Sequence, residues 1–173
     1  MPRYQAEIDS IRFWLRVEVE NVSKEYWKVY SSYRRTAKSA GEKFKWKAGC
    51  RTRETKYGAR LQWFYMQPVR KGEKPHYHVL VEDDAPTNAR NPKRMSMLQP
   101  AEREMVMHYK PFAARLEELG QRIKRYDRIE RAINASACGG YTGSTAKLQK
   151  RIEELDRIAR SIIESAEEQG WRP

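Results

Sequence analysis

Apolar residues recur through residues 5–38 at steps of three and four: Ile8, Ile11, Leu15, Val22, Tyr26, Val29 and Tyr33. That period predicts one long helix with an aromatic-rich buried face, less regular for one turn near Glu18 and Val19. Tyr26, Trp27, Tyr30 and Tyr33 could stack on bases, but an aromatic stripe at helical spacing is ordinarily core, and core is the expectation. From 43 to 53 the period changes to two. Phe44, Trp46, Ala48, Cys50 and Thr52 share one face of an expected strand, and Lys45, Lys47, Arg51 and Arg53 share the other, with Gly49 between. After a turn at 54–58, ARLQWFYMQ (59–67) is apolar on both faces, which predicts a central strand. Pro68 ends it, 70–74 supplies a turn, and PHYHVLVE (75–82) makes a third strand, giving a three-stranded antiparallel meander.

Residues 83–99 hold two prolines, two asparagines and the basic group Arg90, Lys93 and Arg94, the composition of a loop. A helix is expected from Pro100, with a kink or restart at Pro111. Its face runs through Met105, Tyr109, Phe112, Leu116, Leu119, Ile123, Tyr126 and Ile133, with Glu130 as the gap. CGGYTGS (138–144) is a glycine-rich joint, and a last helix over 144–169 carries Leu148, Ile152, Leu155, Ala159, Ile162 and Ala166 on one face. The two C-terminal helices can fold back on each other or pair with a second copy as a homodimer. The expected fold is α+β: an N-terminal helix, a small three-stranded antiparallel β-meander and a long C-terminal helical hairpin. Its parts are 1–99, the DNA-binding portion, and 100–173, together forming one compact unit.

Charge sharpens this picture. The 173-residue chain carries a formal net charge of +12, with a pI near 9.8 and mean hydropathy of −0.94. Residues 34–94 hold sixteen basic and six acidic side chains, so +10 of the +12 is concentrated there. A concentrated positive surface is the footprint of a phosphate-backbone binder. The strand at 43–53 is therefore half of a β-surface suited to lie along a duplex backbone or enter a groove. The bland alternative is an edge strand that uses lysine against aggregation. Candidate DNA contacts are Lys45, Lys47, Arg51, Arg53, Lys56, Arg60, Arg70, Lys71, Arg90, Lys93 and Arg94. No secretory signal and no run near the ~18 apolar residues of a membrane span is visible, so the cytoplasm is the expected compartment. Cys50 and Cys138 lack zinc spacing and are expected reduced and structural.

The pair His76 and His78 flanks one residue on a strand, which puts both imidazoles on one face, the arrangement that lets them share a metal ion. A metal-dependent HUH-type nicking enzyme would need a third ligand, for which only His108 remains, and an attacking tyrosine, for which Tyr109 stands beside it; Mg or Mn would polarise the phosphate. Against it, such nucleases rest on about five strands, and Tyr109 is not followed by the Tyr-x-x-Lys spacing of the replication-initiator branch. No other catalytic constellation is present: nothing resembles GxSxG, and GGYTGS lacks the spacing of a phosphate-binding loop. The expectation is a non-enzymatic protein without cofactor.

Taken together, residues 5–135 resemble the MobI-type auxiliary mobilisation proteins of conjugative plasmids and integrative conjugative elements. The resemblance rests on a leading helix with Tyr26, Trp27, Tyr30 and Arg34, a basic strand, the LQWFY strand before Lys71 and Gly72, and a later helix with Glu104, Phe112, Ala113 and Arg115. It implies a factor acting at an origin of transfer, on double-stranded DNA, beside a relaxase that performs the nick. A third possibility is a protein-interaction or inhibitor module of a mobile element, using helices 100–134 and 144–169.

Overall fold

The computed structural model describes residues 4–67, 74, 76–138 and 145–173, without the side chains of Ala137 and Cys138. Among the described residues, three helices and four strands follow in the order α1 (Gln5–Ser39), β1 (Ala48–Thr55), β2 (Gly58–Gln67), β3 (His76–Val81), β4 (Lys93–Arg94), α2 (Pro100–Cys138) and α3 (Thr145–Glu168), with a 3-10 turn at Met95–Met97. The α+β class and the leading helix, small sheet and trailing helices are as expected. The chain divides into two compact units: Met1–Glu18, Glu54–Ala59 and Arg115–Pro173 form one, and Val19–Arg53 with Arg60–Ala114 the other. The divisions fall inside α1 and α2, so each of these helices contributes to both.

Among its described residues, the first unit is helical apart from the β1–β2 turn with the strand ends beside it and the tail after Glu168. Ile8, Ile11 and Leu15 of α1, Leu119, Ile123 and Tyr126 of α2, and Leu155, Ala159, Ile162 and Ala166 of α3 are buried. Each large aliphatic among them contributes about 1.5–3 kcal/mol relative to exposure. The Arg12 guanidinium pairs with Asp9 at 2.5 Å and with the nearly buried Asp127, tying α1 to α2. Across α2 and α3, Arg122 donates to Ser165 (2.7 Å) and Ser161 (3.2 Å), and Arg125 pairs with Glu154 at 2.6 Å. Trp171, beyond the last helix, is 3 % exposed and its indole N–H donates to Ser10 Oγ at 3.4 Å. Along α3, burial begins only at Leu155; Ile152 remains 38 % exposed.

The second unit holds the sheet, ordered β1-β2-β3-β4. β2 and β3 are antiparallel with Phe64 opposite Val79 and Gln67 opposite His76, whereas β3 and β4 are parallel, Leu80 beside Lys93. β2 is interior, as its two apolar faces predict. The remainder of α1 and the start of α2 supply Val19, Tyr26, Met105 and Val106 to the core.

Several expectations are corrected. The sheet has four strands rather than three, because residues 93–94 of the expected loop pair beside β3. Residues 42–47 are not strand; β1 starts at Ala48, so only Arg51 and Arg53 of the expected cationic face lie within it. On α1 the core seam passes through Val19 and Ser23 instead of Val22, and Tyr33 is 51 % exposed. Ser23 is tolerated inside because its hydroxyl lies 3.6 Å from Cys50 Sγ. On α2 the helix runs unbroken through Pro111, Phe112 is 47 % exposed and the adjacent Ala113 takes the buried position. The glycine-rich joint at 139–144 and the turn at 70–73 lie outside the described residues.

Candidate nucleic-acid interface

Alternation sorts the sheet into two faces. One carries Ala48, Cys50, Leu61, Trp63, Tyr65 and Leu80, all buried. Tyr26 of α1 meets Trp63 edge-on at 5.1 Å and Tyr109 of α2 at 6.0 Å, so this is the helix-packed face. The other face carries Arg51 and Arg53 of β1, Arg60, Gln62, Phe64 and Met66 of β2, and Tyr77 of β3. Arg51, Arg53 and Arg60 are exposed, and Tyr77 is 52 % exposed. Arg51 Nε donates to Gln62 Oε1 at 3.0 Å while its guanidinium lies 5.9 Å from the Phe64 ring centre. Tyr77 meets Phe64 edge-on at 5.1 Å. Under these neighbours Phe64 is only 8 % exposed.

The aromatic residues of α1 serve the sheet edge. Tyr26 Oη donates to the Ala48 carbonyl (2.8 Å), the Trp27 indole to that of Cys50 (2.9 Å) and Tyr30 Oη to that of Trp46 (3.4 Å). Three alternate outward carbonyls of the edge strand and its lead-in are thus satisfied by side chains, which closes the edge to further strand pairing. These rings are committed to the fold. Burial drives the Tyr26 phenol far above the ordinary tyrosine range and raises that of Tyr30 as well. Opposite them, buried Glu102 accepts from the backbone N–H groups of Lys47 and Ala48, and its second oxygen accepts from Gln99 N at 3.3 Å.

The expected DNA contacts therefore separate. Arg51, Arg53 and Arg60 share the open face. Lys45 and Lys47 instead line a cleft of about 910 Å3 with Arg34, Lys43, Tyr30 and Trp46, and Lys47 Nζ sits 5.4 Å from the Tyr65 ring centre. Arg94 is spent on structure, its Nη1 donating to the Glu82 and Ala85 carbonyls at 2.8 and 2.9 Å. Lys93 is half-buried and Arg90 exposed, both in the 83–99 segment. Lys56 lies at the β1–β2 turn, in the helical unit. Arg70 and Lys71 lie outside the described residues. Tyr77, between the two histidines, escaped the sequence reading; its alternation with them was the available signal.

His76 and His78 alternate onto the face of Tyr65 and Leu80, and His78 Nε2 lies 2.8 Å from Gln67 Oε1. His108 is exposed, its ring 5.0 Å from Tyr109 and 6.1 Å from Phe112. No group of three or more His, Cys, Asp or Glu side chains is arranged to hold a metal ion among the described residues. Burial raises the Tyr109 phenol above its ordinary value, opposite to the direction that would help a phenolate nucleophile. Among the described residues no helix is long and apolar enough to cross a membrane. No family model, curated protein or solved structure matches the chain.

Proposed function

We propose that the protein is a non-catalytic DNA-binding accessory factor for conjugative transfer, acting at an origin of transfer beside a relaxase. The observation that carries DNA binding is the open sheet face: three exposed arginines and, among its described positions on β1, β2 and β3, no carboxylate. Neither Arg53 nor Arg60 has an acidic partner among the described residues, so both guanidiniums can neutralise phosphates without first breaking an ion pair. The conjugative role rests on the resemblance of residues 5–135 to MobI-type proteins. A non-catalytic role is favoured because the histidine pair alternates onto the face opposite the arginines. DNA lying on the arginines would have the sheet's thickness between its phosphates and both imidazoles. The Arg122 and Arg125 contacts support reading α2 and α3 as a helical hairpin closed within one chain.

The test is binding of fluorescent DNA fragments tiling the region beside the gene, with competitor DNA present, for the full chain and for Arg53→Glu/Arg60→Glu. Binding confined to one tile is expected, lost in the double variant. In the milder Arg53→Gln/Arg60→Gln variant the salt dependence should flatten by about two phosphate contacts, roughly 0.9 in logarithmic slope for each. A folded Glu double variant that binds as tightly as the parent removes this face as the interface. A detergent-resistant protein–DNA adduct formed with Mn and abolished by Tyr109→Phe would replace the reading with a nicking enzyme.

A further inference from the structure

The open face carries more than charge, and its aromatic content bears on which form of DNA it takes. Three strands about 4.8 Å apart, extended at the β1 edge by Trp27, which lies 6.5 Å from Phe64, form a broad surface. A major groove roughly 12 Å wide admits a helix or a two-stranded ribbon, so this face meets a duplex only at its phosphates. Phosphates give an exposed aromatic ring nothing to stack on. Yet Tyr77, the second residue of β3, stands 52 % exposed, braced edge-on by Phe64, and the Arg51 guanidinium lies over Phe64 from the β1 side. A tyrosine ring and an arginine plane, held by a shared buried aromatic, with Arg53 and Arg60 farther along the same face, present π-faces to unpaired bases and positive charge to the backbone.

We infer that the arginine face binds single-stranded DNA, with one base stacked on Tyr77 and the strand's phosphates held by Arg53 and Arg60. The inference rests on the DNA-binding reading above and deepens it. The occupant follows from the face's chemistry: guanidiniums without opposing carboxylates call for a polyanion, and an exposed braced ring calls for a planar partner. Melted DNA at a nick site supplies both.

The test uses the full chain and a fluorescent oligonucleotide of about twelve nucleotides, within the range of single-strand sites, alone and annealed to its complement. Single-strand binding is expected to be at least about tenfold tighter than duplex binding. Tyr77→Ala should weaken single-strand binding by about five- to a hundredfold, the range for one stacked base, and leave duplex binding unchanged. Tyr77→Phe, which keeps the ring, should stay within about twofold. Duplex binding equal or tighter, an unaffected Tyr77→Ala protein, or a Tyr77→Phe protein as weak as Tyr77→Ala each overturns the inference. If in those cases Arg53→Glu/Arg60→Glu still abolishes duplex binding, the DNA-binding reading stands alone; failure to bind either form removes both.

Discussion

Gly49 shows how much one missing side chain can determine. A Cβ there would lie 2.5 and 2.7 Å from the Phe64 ring and 3.1 Å from Trp27, far inside van der Waals contact. The absent side chain is what lets the Phe64 ring and the Trp27 indole close over β1. Gly49→Ala is therefore expected to destabilise the protein by about 1–3 kcal/mol through overpacking, read as a lower denaturant midpoint. It should also displace Phe64 and with it the brace under Tyr77. In the sequence, Gly49 was visible only as an interruption among cations, because the atoms it makes room for come from α1 and β2.

At the scale of elements, the start of β1 is held by a carboxylate from α2. Glu102 is 1 % exposed. It stands at the third helical position after Gln99, and its bond to Gln99 N is the reach-back half of a capping box. Its other oxygen satisfies the Lys47 and Ala48 N–H groups. One side chain thus begins a helix and anchors the segment leading into an edge strand. Glu102→Ala leaves the buried Ala48 N–H without a partner and should cost about 2–4 kcal/mol, while Glu102→Gln, which keeps one acceptor oxygen, should cost less. Urea unfolding of both variants measures this. Helix periodicity foretold α1 and the start of α2 to within a residue, though α2 runs on to Cys138, four residues past the expected 134, and strand alternation could not tell that 42–47 stands outside β1. Alternation is equally consistent with an extended segment whose amides are satisfied by a side chain.

For the molecule as a whole, alkaline pH is the condition to which the core is sensitive. Burial pushes the Cys50 thiol from 9.0 up to about 12, offset in part by its hydrogen bond to Ser23. Burial likewise pushes the Tyr126 phenol from 10.0 to about 12, with Glu130 adding to the rise and Arg12 opposing it. Below about pH 9 the folded and unfolded chains both retain these protons. Above it the unfolded chain releases them first, so stability falls as pH rises from about 9 towards 12. Urea midpoints should stay level from pH 7 to about 8.5 and decline beyond; a midpoint that rose over that upper range would contradict the assignment of these groups to the core.

What the sequence determined by itself was what short-range physics encodes: the helix periods, the interior character of LQWFY, and the concentration of charge in 34–94. Those depend on the spacing of residues near one another in the chain. The tertiary structure alone decided which cations share a surface. Strand register set Arg51 and Arg53 beside Arg60, while Lys45 and Lys47, ahead of β1, line the cleft that reaches Met66 and Glu102. Register also put the histidines on the face opposite the arginines and brought Tyr77 into their company. The side of a sheet on which a residue falls depends on pairing with distant strands and on which face the helices cover. No local pattern carries that information.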